Sequence, residues 1–215
     1  MNSVRVKICG INRKEDLAVT AAAGADAVGF VVGVPYSPRN ISIADAKKLI
    51  RQVPPFVKSV LVTVPKSLEE LARTSAKLNP DAVQIHDEKI ICANREKLPN
   101  KLLIGAVRAS PHNAVENAVK ASKVFDAILL DSFAHGKHGG TGAVHDWNVS
   151  QRVKFAVHPK PLILAGGLNP ANVADAIYIV QPYAVDVSSG VEQKLGIKDH
   201  KKIIEFIKNA KGVIT

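Results

Sequence analysis

The chain is poor in sulfur: 215 residues contain two cysteines, Cys9 and Cys92, and one methionine. Two distant cysteines outside any CxxC pair are too few for a disulfide framework or a zinc site. Long apolar runs are missing too. Nothing approaches the ~18 residues a membrane helix needs, which excludes a helical span. The start, Met1-Asn2-Ser3-Val4-Arg5-Val6-Lys7-Ile8-Cys9, alternates polar and apolar residues and has no apolar h-region, so the expected location is the cytoplasm. Glycine (14) and proline (12) are too few for collagen-like or low-complexity chains. No RNP, zinc-finger or basic-arm pattern is present, which leaves nucleic acid without a reader.

What is present is 47% hydrophobic and 22% charged, a globular composition for one domain, with 1–215 read as a single unit. A chain this long buries roughly 70% of its unfolded surface and needs no staples. Twenty-nine Lys+Arg against 19 Asp+Glu leave a net charge of +10, which attracts anions. The densest basic spots are Lys47-Lys48 and the trio Lys198, Lys201 and Lys202, each read as a solvated helix face.

Short apolar runs alternate with amphipathic stretches. Eight strand-like runs, rich in Val and Ile, lie at 4–9, 27–32, 57–64, 82–86, 102–108, 127–132, 162–166 and 184–188. Helix-like stretches fall at 14–24, 42–52, 67–78, 112–123, 170–180 and 198–210, with weaker patterns at 88–97 and 148–157. Leu68, Leu71 and Leu78 make one helical stripe and Ile203, Ile204 and Ile207 another. Ser67 and Glu70 have capping-box spacing, and Pro170 suits a first helical turn. Eight such units predict parallel strands closing into an α/β (β/α)8 TIM barrel with short loops. The structural alternative, an open doubly wound sheet, usually shows fewer strands and a Gly-rich first turn, which is missing.

Side chains alternate along a strand. Val4, Val6 and Ile8 oppose Arg5, Lys7 and Cys9; Val83 and Ile85 oppose Gln84 and His86; Val185 and Val187 oppose Asp186 and Ser188. The apolar sets are expected to face helices. The mixed sets then point inward, with Cys9, His86, Arg108, Asp131 and Ser188 at the C-terminal ends, where barrels of this kind carry chemistry. Turns at Gly166-Gly167 and at Ser188-Ser189-Gly190 let backbone N–H groups approach an anion, in the loops where this fold seats phosphate. The longest loop, 133–147, carries Gly139-Gly140-Thr141-Gly142 and three histidines; it reads as a lid or binding loop or as a surface loop, and no ligand spacing supports a metal there.

Lys7-Ile8-Cys9-Gly10, Gly29-Phe30, Ser37-Pro38-Arg39-Asn40-Ile41-Ser42, Val83-Gln84-Ile85-His86, Leu130-Asp131-Ser132, Gly139-Gly140-Thr141-Gly142 with Asp146-Trp147, Leu164-Ala165-Gly166-Gly167-Leu168 and Asp186-Val187-Ser188-Ser189-Gly190-Val191-Glu192 run in order over nearly the whole chain. Together they resemble the phosphoribosylanthranilate isomerase family of tryptophan biosynthesis. Two positions depart from the family pattern: Asp87 stands where glycine is common, and His145 where an aromatic residue precedes Asp146. The resemblance implies an Amadori rearrangement of a phosphorylated, carboxylated small molecule, with Asp131 as general acid and Cys9 as general base. It implies Arg39 on the anthranilate carboxylate, Asp186 on ribose hydroxyls, and Gly166, Gly167, Ser188 and Ser189 at the phosphate. Gln84 and His86 either orient substrate or satisfy one another. No cofactor or metal is called for, and a monomer or homodimer is expected. Two rival readings stay open: another phosphate-binding barrel, such as a sugar-phosphate epimerase or indole-3-glycerol-phosphate synthase, and a non-enzymatic anion binder.

Overall fold

The structure, a computed structural model, describes residues 4–86, 96, 100–131 and 146–213. In chain order its strands are β1 (Arg5–Cys9), β2 (Ala27–Val32), β3 (Asn40–Ile41), β4 (Lys58–Thr63), β5 (Ala82–Ile85), β6 (Leu102–Arg108), β7 (Ala127–Asp131), β8 (Leu162–Leu164), β9 (Ala184–Val187), β10 (Glu192–Lys194) and β11 (Ile197–Lys198). The helices are α1 (Lys14–Ala22), α2 (Ile43–Ile50), α3 (Leu68–Leu78), α4 (Ala114–Ser122), α5 (Trp147–Val157), α6 (Val173–Val180) and α7 (His200–Lys211). Strands β1, β2 and β4 to β9 pair in parallel, and β1 pairs with both β2 and β9, which closes the barrel. The eight-strand expectation holds. Strand β3 extends β2 at one edge, and β10–β11 is an antiparallel hairpin beyond the barrel wall; neither was foreseen.

Strand parity divides the core in two. One cluster joins Val6, Ile8, Val28, Phe30, Leu61, Val83, Ile85, Leu130, Val185 and Val187 to the inner stripes of the helices. The other fills the barrel with Cys9, Val31, Val60, Val62, Ala82, Ile104, Ala106, Ala127, Leu129, Ile163, Ala165 and Ala184. Small alanines suit the crowded lumen, where side chains from all strands converge in layers. Burying each large aliphatic is worth about 1.5–3 kcal/mol, so the cylinder is held mainly by the outer cluster.

Local signals behave as their chemistry dictates, with corrections. Ser67 caps α3 by accepting from the Glu70 N–H at 3.2 Å, but Glu70 reaches back one residue further, to the Lys66 N–H, instead of closing a capping box. The weak 148–157 pattern is a full helix, α5, capped by Asp146. Pro170 lies before α6, which starts at Val173. In α7 the buried stripe is Ile203, Phe206, Ile207 and Ala210, while Ile204 is 51% exposed. Lys198 overturns its solvated-helix reading most clearly. Asp199 caps α7 through the Lys201 and Lys202 N–H groups, so the helix begins at His200 and Lys198 falls in β11, fully buried.

Candidate active site

The β1–β9 register sets Lys7 directly beside Asp186, both pointing into the lumen. Their side chains form a buried ion pair, Lys7 Nζ donating to Asp186 Oδ1 at 2.9 Å. Two residues on, Cys9 ends β1 opposite Gly29 of β2. A Cβ on Gly29 would stand 2.9 Å from Cys9 Sγ and 3.2 Å from Lys7 Nζ, so glycine makes the room in which thiol and ammonium converge. Burial drives the Cys9 thiol above its ordinary range; Asp186 adds to this, and the Lys7 and Lys198 charges oppose it without reversing it. Burial also works against the Lys7 charge, but Asp186 and Cys9 carry that ammonium above its usual value.

Asp131 ends β7, its Cα paired with that of Arg108. Burial pushes its carboxyl up to about 6, the Asp186 charge pushes the same way, and Lys7 pulls back. Thus one ion pair acts on both the thiol of β1 and the carboxyl of β7.

Gln84 and His86, two residues apart on one face, hydrogen-bond to each other, with Gln84 Nε2 2.6 Å from His86 Nε2. The amide donates, so the ring accepts at Nε2. Burial, helped by Lys7, lowers His86 to about 4 and keeps it neutral. Gln84 Oε1 is buried and lacks a partner among the described residues.

The anion turns have the expected backbone. Gly166 and Gly167 take φ of 83° and 66°, open to glycine and strained for other residues. Asn172, not anticipated, fixes this turn by donating to the Gly167 carbonyl at 3.0 Å and accepting from the Asn169 N–H at 2.8 Å. Ser189 opens a short 3₁₀ turn, and a Cβ on Gly190 would run into the Leu168 carbonyl, so the loops after β8 and β9 touch there. The Ser188 hydroxyl donates to the Cys9 carbonyl at 3.1 Å, tying the end of β9 to the end of β1.

Arg39 is buried, and its fork is engaged within the chain: Nε and Nη2 donate to the two Glu192 oxygens at 2.7 and 2.8 Å. Sequence reasoning missed this partner, 153 residues away. Glu192 is held below the carboxylate range: burial opposes its charge, but Arg39 and Lys198 outweigh it. Among the described residues no three His, Cys, Asp or Glu side chains converge to hold a metal, and no helix is long and apolar enough to cross a membrane. Asp87, the 88–97 helix pattern except Glu96, and the 133–147 loop except Asp146 and Trp147, with its Gly139-Gly140-Thr141-Gly142 and His145, lie outside the described residues.

Fold and site together define a (β/α)8 barrel with its ionisable side chains gathered at the carboxyl ends of the strands, the chemical face of this architecture. The family model of N-(5'-phosphoribosyl)anthranilate isomerase matches residues 6–209. A relative of that name from Methanothrix thermoacetophila is 42% identical over 97% of this chain and 98% of its own. A solved Thermotoga maritima structure, of monomers generated from the dimeric isomerase, is 40% identical, covers 98% of this chain and 100% of its own, and superposes with a TM-score of 0.85. A phosphoribosylanthranilate isomerase solved with reduced 1-(o-carboxyphenylamino)-1-deoxyribulose 5-phosphate is also 40% identical with the same coverage, at a TM-score of 0.82. The chain belongs to the N-(5'-phosphoribosyl)anthranilate isomerase family.

Proposed function

We propose that Asp131 and Cys9 carry out in this chain the Amadori rearrangement of N-(5'-phosphoribosyl)anthranilate to 1-(2-carboxyphenylamino)-1-deoxyribulose 5-phosphate. Protonated Asp131 gives its proton to the furanose ring oxygen as the bond from that oxygen to C1 breaks. The nitrogen lone pair forms the C1=N iminium. The Cys9 thiolate then takes the C2 proton, and the electron pair left behind makes the enolamine. Protonation at C1 and loss of the C2 hydroxyl proton give the aminoketose. Positioned acid and base groups contribute about 10²–10⁴-fold each in such steps.

A carboxyl raised to about 6 retains a protonated fraction at neutral pH. The Lys7 ammonium favours the thiolate that burial disfavours. The remaining assignments follow charge and reach: Gly166, Gly167, Ser188 and Ser189 for phosphate, Asp186 for ribose hydroxyls, and Arg39 for the anthranilate carboxylate through the guanidinium N–H groups that Glu192 does not take.

The observation that carries this reading is a buried Lys7–Asp186 ion pair in the barrel lumen, with a thiol at the end of β1 and a carboxyl at the end of β7. Loss of fluorescence of freshly made phosphoribosylanthranilate tests it. The chain should speed the decay far beyond the uncatalysed rate; decay at the uncatalysed rate would leave only an anion binder or a barrel of different specificity. Arg39→Ala should act mainly on KM, and an unchanged KM would remove it from the carboxylate end.

A further inference from the structure

Among the described residues Lys198 is the most deeply buried cation outside the chemistry just described, its side chain 0% exposed. Such a charge is costly to desolvate unless its protons are well placed. Among the described residues its Nζ makes three polar contacts within one small region: the Ser188 carbonyl at 2.9 Å, the Ser188 hydroxyl at 3.4 Å and Glu192 Oε1 at 3.2 Å. Glu192 Oε1 is the same oxygen that accepts from Arg39 Nε, while Oε2 takes Arg39 Nη2 and the Gly196 N–H. The β10–β11 hairpin supplies the frame, since Glu192 and Lys198 are register partners across it. Gly196, at φ 78°, lets its turn approach the Pro38 carbonyl next to Arg39, where a Cβ would sit 2.7 Å away. Gly10 likewise yields to the Arg39 stem, with 2.6 Å from a Cβ to Arg39 Cδ. A continuous polar chain therefore runs from Arg39 through Glu192 and Lys198 to Ser188, and from Ser188 to the end of β1.

We propose that Lys198 is a positioning residue that sets the distance between the arginine reading the substrate's carboxylate and the loop seating its phosphate. The proposal rests on the isomerase reading. It makes the hairpin a spacer for a molecule that carries an anion at each end: Lys198 holds Ser188 on one side and, through the shared oxygen of Glu192, the fork of Arg39 on the other. A clamp with a merely structural role would be replaceable by an apolar side chain of similar length without kinetic effect.

The test is Lys198→Met in the full-length chain, with melting temperature, KM, kcat, and competitive inhibition by inorganic phosphate and by anthranilate. The expected result is a folded enzyme with KM raised about 10- to 100-fold, kcat changed much less, and weaker inhibition by both anions. Arg39→Ala, by contrast, should weaken anthranilate and spare phosphate. A folded Lys198→Met enzyme with wild-type KM and both inhibition constants unchanged overturns the proposal. So does loss of anthranilate inhibition alone, because it breaks the link to the phosphate side. If Lys198→Met does not fold, Glu192→Gln takes its place, with weakening of both inhibitors supporting the link and wild-type values refuting it. A wild-type chain that fails to isomerise phosphoribosylanthranilate defeats the functional reading itself, a result distinct from any of these.

Discussion

The two faces of a single strand, β1, face opposite environments. Val6 and Ile8 point outward into a dry aliphatic layer shared with α7 and its neighbours. Lys7 and Cys9, one residue away each, point inward to an ammonium–carboxylate pair and a free, buried thiol. The outer face is stabilising and chemically inert. The inner face spends stability, because charges and ionisable groups are taken out of water there, and in return it shifts their proton affinities. The lesson is that one backbone register serves both purposes at no cost in chain length.

Substitutions on the two faces should separate cleanly. Cys9→Ala and Asp131→Asn are expected to lower kcat by about 10²–10⁴-fold each while thermal melting stays near wild type; wild-type kcat in either variant removes that residue from its role. Ile8→Ala, adjacent in sequence to Cys9, should do the reverse. It should destabilise by about 2–5 kcal/mol in denaturant titration and leave kcat per folded molecule nearly intact. A large kcat loss from Ile8→Ala in fully folded protein would erase the distinction between the faces.

A finer comparison lies within the inner face. Lys7 holds both Cys9 and Asp131 down in proton affinity, and Asp186 holds both up. Lys7→Met should therefore move both limbs of the pH–rate profile upward, and Asp186→Asn should move both downward. Each variant also leaves a buried charge unpaired and should melt at lower temperature. Limbs that move in the same direction in the two variants would show that the pair does not set the two proton affinities.

The barrel was legible in the sequence because its signal is repetition. Eight aliphatic runs separated by helical stretches favour a closed barrel over an open sheet, and in the strands that carry polar residues the inward set Lys7, Cys9, Gln84, Asp131 and Asp186 followed from parity. The hairpin was not legible. Lys198-Asp199-His200-Lys201-Lys202 reads as a basic helical face unless Asp199 is recognised as the cap that starts the helix after it. Nothing in the sequence pairs Arg39 with Glu192, since that contact depends on how two distant loops meet over Gly10 and Gly196. Gly29 was visible only as part of a motif; its reason, room for Cys9 and Lys7, is a packing fact across two strands.

The pH dependence of kcat/KM tests the central claim, that a raised carboxyl and a raised thiol share one proton economy. Between their two affinities the dominant form has Asp131 ionised and Cys9 protonated, and the productive form, with the proton moved to Asp131, keeps a constant share. Activity should thus rise with pH through about 6, level off, and fall only above the thiol's raised value. In Asp131→Asn the limb near 6 should vanish, and the residual activity should rise only as the Cys9 thiol ionises at its raised value. Activity that is already maximal at pH 4, or a limb near 6 that persists when Asp131 is asparagine, would contradict it.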